Sequence, residues 1–334
     1  MQSNPSDIDR TITELEDIIA TLKSPANRSR AIAEGIDIDQ ELVRLEEELQ
    51  SVMRQRYAIL SPWEKTVLAR HKDRPYSLDY VRLIFDEFFE LWGDRLANND
   101  EAVIGGLARL NGEPVVVIGQ QKGRDLKERQ RRNFGSARAE GFRKALRLAK
   151  MAEKFHKPLI SFIDTAGAAA DLRAEEHGVS EAIARNLREF ALLRTPILVV
   201  VIGEGGSGGA LGMAVGDRIL MLEHAIYSVI SPEGCAAILW HDKLQSPEAQ
   251  KEKTAQAADA LKLTAQNALR LGVVDEVLPE PVGGAHRDPP AMAATIKTAL
   301  CNHLGELCRL TPEELTDARY QRFRRLGAWT EQKD

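Results

Sequence analysis

The stretch with the most chemical potential is ILVVVIGEGGSGGALGMAVG, residues 197–216. A buried strand runs into Gly203-Glu204-Gly205-Gly206-Ser207-Gly208-Gly209, and a helix of small residues begins at Ala210. Five glycines in these seven positions open backbone angles closed to other residues and let a ligand approach the main chain at Gly205, Gly206 and Ser207. The free N–H groups at the following helix start suit a negatively charged oxygen.

Three chemistries fit the turn. Gly203-x-Gly205-x-x-Gly208 matches the dinucleotide fingerprint, with Glu223 twenty residues beyond Gly203. That fingerprint belongs in a first βαβ unit, whereas this turn follows several earlier elements. Gly205-x-Ser207-x-Gly209 matches the nucleophile elbow of serine hydrolases, with His224, His241, His286 and His303 following in chain order. The third chemistry is an oxyanion hole made of backbone N–H groups alone. A phosphate-binding loop is excluded, because no Lys-Ser/Thr pair closes the turn. A tight structural turn is the plain alternative.

Other groups carry weaker signals. KGRDLKERQRR, residues 122–132, holds six basic and two acidic residues. It reads either as a solvated helix face or as a basic rim for an acidic partner or for phosphates. Lys122 and Arg124, beside a strand end and flanking Gly123, are the nearer contacts. Ser231-Pro232-Glu233-Gly234 is either a neighbour of the glycine turn or an ordinary capped helix start. His71 and His286 read as satisfied loop histidines, and Cys235 as buried packing.

The elements that must position these residues show two textures. Residues 6–60 are two helical runs broken at Pro25, Asn27 and Gly35, a hairpin on the main body; residues 61–75 connect it onward. A helix with Ser77 as its cap is predicted over 77–93. Strands are then predicted at 102–110 and 114–119, joined by Asn111-Gly112, and at 158–163, 197–202, 219–222, 226–230 and 273–278. Helices are predicted at 180–193, from 210, and at 236–240, 246–271 and 291–327, the last ending in the basic run RYQRFRR. Alternating strands and helices imply an α/β fold with largely parallel pairing. The expected organisation is a helical extension over 1–73, a core over 74–285 and a C-terminal helical segment over 286–334.

Bulk properties narrow the classes. A net charge of −5 in 334 residues argues against a nucleic-acid binder. The longest apolar stretch, 196–202, is too short to span a bilayer, so no membrane association is expected. The three cysteines form no zinc pattern and suit a reducing cytoplasm, and the first residues show no signal-peptide pattern. No metal is expected in this chain.

The strings RPYSLDYVRLIFDEF (74–88), QKGR…RRNFG (121–135), EGFRKALRLAKMAEKF (140–155), SEAIARNLRE (180–189), VIGEGGSGGAL (201–211), YSVISPEGCAAILW (227–240) and PEPVGGAHRDPPAMA (279–292) resemble the α subunit of bacterial acetyl-CoA carboxylase carboxyltransferase. The resemblance runs from about residue 70 to 325, with weaker agreement in the N-terminal helices. It implies a crotonase-like fold of repeated ββα units and an α2β2 assembly with a separate β subunit that carries the zinc. It also implies biotin borne on a biotin carboxyl carrier protein, a biotin carboxylase in the wider complex, and acetyl-CoA as substrate. By the same resemblance, the N–H groups of Gly208 and Gly209 hold the biotin ureido oxygen while the carboxyl group passes to acetyl-CoA, giving malonyl-CoA for fatty acid synthesis.

Three segments depart from the family's pattern. T-P-G-A-Y-P-G is here Thr165-Ala166-Gly167-Ala168-Ala169-Ala170-Asp171, G-M-P-A-P-E-G is Gly135-Ser136-Ala137-Arg138-Ala139-Glu140-Gly141, and H-Q-K-G is Gln120-Gln121-Lys122-Gly123. Lost prolines free the unbound chain, and a lost tyrosine removes a large contact. Gly167 and Ala168 are expected to face the cleft beside the intact glycine turn. The expectation is retained chemistry in an altered pocket. An inhibitor-tolerant copy, a different acyl-CoA preference, a non-catalytic member and neutral drift all remain open.

Overall fold

The computed structural model describes residues 5–28, 37–243 and 246–327. Gly35, expected as a helix breaker, lies outside them. Helices α1 (Pro5–Lys23) and α2 (Ile38–Ala58) form the expected hairpin, closed by Leu15 and Ile19 against Leu42 and Leu45. The predicted connection contains a helix, α3 (Pro62–Ala69), started by a Ser61/Glu64 capping box with Pro62 in its first turn. Arg56 of α2 donates to Asp9 at 2.7 Å and to Glu64, tying the hairpin to α3.

The helix predicted over 77–93 is shorter. Helix α4 spans Ser77–Ile84, and Glu87–Glu90 forms edge strand β1, antiparallel to β2 (Val103–Leu110). Phe85, Phe88 and Leu91, which continue the helical spacing of Leu78, Val81 and Ile84, fit either period locally, and the open edge of β2 decides in favour of strand. Ser77 is not the cap. Tyr76 takes that position, and the buried Ser77 hydroxyl donates to the carbonyl of Gln120 at 2.6 Å. Strand β3 (Glu113–Gln120) completes the hairpin as expected, with Asn111 at φ 52° and Gly112 at φ 81° in its turn.

The chain continues through α5 (Leu126–Arg131), α6 (Ala139–Lys154), β4 (Leu159–Thr165), α7 (Leu172–Glu176), α8 (Val179–Leu192), β5 (Ile197–Gly206), α9 (Ser207–Leu211), β6 (Arg218–Leu222), β7 (Ile226–Ser228) and α10 (Pro232–Leu239). The helix predicted over 246–271 is two helices, α11 (Pro247–Ala260) and α12 (Ala265–Arg270), because Thr264 caps the second. Strand β8 (Glu276–Leu278) follows. The helix predicted over 291–327 likewise divides into α13 (Pro289–Leu307) and α14 (Pro312–Arg324) at a Thr311/Glu314 capping box.

Among the described residues one sheet holds eight strands, seven in the order β1-β2-β3-β4-β5-β6-β8 and β7 off this path, paired with β5. Pairing is antiparallel from β1 to β3 and parallel beyond. Strand β5 outruns β6, and its last residues pair instead with β7, Glu204 opposite Ile226 and Gly206 opposite Ser228. That extension carries the glycines to the end of the sheet. One apolar core runs from Tyr80 to Leu315 and draws in α13 and α14.

Two buried arginines brace β5, one at mid-strand and one just before its start. Arg74 donates to the carbonyl of Ile202 at 2.8 Å and pairs with Glu280, both side chains almost fully buried. Arg319 of α14 pairs with Asp217 at 2.9 Å and caps the carbonyls of Phe190, Leu193 and Thr195. The basic C-terminal run is therefore partly interior. No helix among the described residues is long and apolar enough to cross a membrane.

Candidate functional site

The glycine segment is strand down to Gly206, and its glycines serve contact rather than unusual torsion. None of the five has positive φ; the left-handed residue is Ser207, at φ 54°. A Cβ at Gly203 would lie 2.4 Å from Asp164 Oδ1, at Gly205 2.5 Å from the Tyr227 ring, and at Gly206 2.1 Å from the carbonyl oxygen of Ala166. The expectation that the glycines serve special backbone angles is thus corrected: β4 and β7 approach too closely for side chains.

Helix α9 starts at the exposed Ser207. Helix starts leave their first N–H groups without intrahelical acceptors, here those of half-buried Gly208 and buried Gly209. Five residues carry little macrodipole, so the amides themselves supply the positive potential. The 165–171 loop walls them in: a Cβ at Gly209 would lie 2.3 Å from Ala168 N and 2.4 Å from the Gly167 carbonyl carbon. Thr165 Oγ1 accepts from Gly167 N at 3.1 Å and donates to Gly167 O at 2.7 Å, bending the loop back onto the turn.

Buried Gln120 holds the arrangement from behind. Its Nε2 donates to Gly209 O at 2.7 Å, and its Oε1 accepts from Asp164 N at 3.0 Å. An ionic chain lies alongside. Lys122 Nζ is 2.8 Å from both Asp164 and Glu204; Arg70 Nε is 2.6 Å from Glu204, and Arg70 Nη1 is 2.5 Å from Glu233. Burial disfavours the charge on Lys122, but Asp164 and Glu204 outweigh it and raise its pKa. Burial likewise disfavours the Glu204 carboxylate, and Lys122 and Arg70 overcome this to hold its pKa below the usual range. Arg70, Tyr76, Lys122, Arg129, Phe134, Ala166 and Glu204 line an adjacent cavity of about 240 Å³.

Of the residues singled out in the sequence, Gly205, Gly206, Ser207, Gly208 and Gly209 meet Gly167 and Ala168 at one sheet end. Glu233 joins them through Arg70 and Glu204. Ser231 caps α10, accepting from Gly234 N at 3.1 Å. Lys122 faces inward, to the ionic chain. Arg124 lies over the Tyr76 ring at 4.0 Å and donates to the carbonyls of Lys72 and Arg74, while Gly123 packs tightly against the backbone of Arg129. Sequence reasoning missed the roles of Arg70, Asp164 and Glu204. The only signal was the acid inside the glycine run.

The histidines that a serine nucleophile would need are engaged elsewhere. His224 packs near Tyr57, His241 pairs with Asp242, His286 stacks on His71, and His303 contacts Glu276. Ser207 has the strained backbone of an elbow without a base. Among the described residues, no group of His, Cys, Asp and Glu side chains is placed to hold a metal ion.

Comparison with known proteins agrees with this architecture. The chain matches the family described as acetyl co-enzyme A carboxylase carboxyltransferase-like over residues 5–327. It is 51% identical over 325 residues to the acetyl-coenzyme A carboxylase carboxyl transferase subunit alpha of Geobacter metallireducens, covering 97% of this chain and 98% of that one. It is 50% identical over 323 residues to the same subunit of Bordetella pertussis, covering 96% and 98%. Among solved structures, transcarboxylase 12S superposes with a TM-score of 0.58 at 20% identity, over 72% of this chain and 43% of that one. That likeness bears on the fold, which is crotonase-like as the resemblance implied. With this match across nearly its whole length, the chain belongs to the acetyl-CoA carboxylase carboxyltransferase-like family.

Proposed function

We propose that this chain is the α subunit of an acetyl-CoA carboxylase carboxyltransferase, working with a zinc-bearing β subunit as an α2β2 heterotetramer. Its carboxyl donor is carboxybiotin on a biotin carboxyl carrier protein, charged by a biotin carboxylase, and its acceptor is acetyl-CoA. The observation that carries the reading is the pair of amides at Gly208 and Gly209, half open and walled by main chain, at the end of a strand held from behind by Gln120.

Carboxybiotin supplies the carboxyl group when bound. The Gly208 and Gly209 N–H groups would hold the ureido oxygen and favour the charge it gains. The 165–171 loop limits water at that oxygen, and Gln120 keeps the amides aligned without touching substrate. No side chain of this subunit need take a proton. The acetyl-CoA side belongs to the β subunit.

Co-expression with a β subunit, followed by assay of malonyl-CoA formation from acetyl-CoA and carboxybiotin, tests the reading. Turnover should require both chains. Ser207→Ala, which keeps the backbone and removes the hydroxyl, should change turnover by no more than about twofold. A serine hydrolase would lose on the order of 10⁶ in rate on the same substitution. A stable two-subunit complex without turnover would overturn the assignment.

A further inference from the structure

We infer that Arg138 and Asp171 are positioning residues for the carboxybiotin side of the reaction: their ion pair clasps two loops together and sets how closely the 165–171 loop lies against the Gly208–Gly209 amides. The inference rests on the function proposed above. Arg138 directly precedes α6, and its guanidinium reaches Asp171 with Nη2–Oδ2 at 2.6 Å, Nε–Oδ2 at 3.1 Å and Nε–Oδ1 at 3.4 Å. This fork contact is more directional than a lysine pair would be.

Both partners are fixed from behind. Arg138 N donates to the buried carboxylate of Asp100 at 2.7 Å, and Asp171 Oδ1 caps α7 by accepting from Ala174 N at 2.8 Å. Between them Ala169 N donates to Ala137 O at 2.9 Å. The loop inside the clasp has no slack toward the site, since Gly206 and Gly209 admit no Cβ beside Ala166, Gly167 and Ala168. A shift of a few tenths of an ångström at the loop must therefore appear at the turn.

The loop itself is Ala-Gly-Ala-Ala-Ala over 166–170, with no proline or large side chain to restrain it. Arg138 and Asp171 stand where the family's strings have Ala and Gly, in the same two segments that lack the prolines. Two departures 33 residues apart in sequence thus face each other as opposite charges. In a loop without prolines, the ion pair is the restraint that the structure shows.

The test uses the complex with the β subunit, run from malonyl-CoA toward free biotin as carboxyl acceptor. Arg138→Ala and Asp171→Asn should each raise KM for biotin about fivefold, as befits a partly exposed pair, and the double variant no further. The asparagine keeps a capping oxygen for α7, so loss of the cap is not what is measured. Arg138→Lys should restore part of the effect, and KM for malonyl-CoA should stay put. An unchanged KM for biotin, additive single effects or an equal rise for malonyl-CoA would overturn the clasp. If the parent complex does not turn over, the functional reading fails, and hydrogen exchange on the full chain still decides the inference. Both variants should then speed exchange at the amides of Ala169 and of Gly212 and Met213, which donate to Gly208 O at 2.9 Å and Ala210 O at 3.0 Å in the turn. Unchanged rates at Gly212 and Met213 would rule out transmission to the turn.

Discussion

Replacing Gly209 with alanine should lower kcat/KM for carboxyl transfer by about 10² to 10³, the loss typical of removing one oxyanion donor. The new methyl would meet Ala168 N at 2.3 Å and the Gly167 carbonyl carbon at 2.4 Å. Both are main-chain atoms and cannot rotate away, so either α9 or the 165–171 loop must move. Overpacking of this kind costs about 1–3 kcal/mol, less than a typical domain's stability, so the chain should still fold. Gly208 provides the contrast. A Cβ there would find only Ile183, at 3.8 Å, which is ordinary contact. Gly208→Ala should unfold at the parent temperature, and Gly209→Ala slightly below it. Parent-like turnover in Gly209→Ala would mean that the transferred charge does not sit on these amides.

The largest stability effect is expected at Lys122. Lys122→Met should cost about 3–5 kcal/mol, because it leaves the carboxylates of Asp164 and Glu204 buried beside each other without their shared ammonium, and Arg70, itself shared with Glu233, pairs with Glu204 alone of the two. Denaturant midpoints of parent and variant measure it. The pH dependence follows from the two shifts. Glu204 has a depressed folded pKa, so its contribution is present above the unfolded value of about 4.3 and is lost as pH falls through the folded value. Lys122 has a raised folded pKa, so its contribution is present below about 10.4 and is lost as pH rises through the folded value. The gap between parent and variant should be widest from about pH 5 to 10 and narrow on both sides. A gap that does not change with pH would assign the loss to packing of the lysine stem.

Much of the fold was legible because its signals are local. The Asn111-Gly112 turn, the apolar run of β5 and the helical spacing of α1 and α2 each depend on residues within a few positions, whose torsions and faces are set by covalent proximity. The errors fell where two local patterns were equally allowed. The 85–91 stripe suited helix or strand until β2 offered an open edge, and the long predicted helices divided at Thr264 and Thr311, whose side chains satisfy a new helix start better than continuation does.

The sequence by itself determined the family, the alternation of strand and helix, and the place of the glycine turn. Tertiary structure alone decided what those glycines are for. They lie where β4, β7 and the 165–171 loop come within contact of β5, and the one left-handed residue is the serine among them. It also decided the partners of the charged groups: Arg70 meets Glu204 from 134 positions away, and Arg138 meets Asp171 from 33. Such pairs depend on which strand lies beside which. That choice belongs to the whole core, because a charge finds its partner only after the apolar strands have taken their order.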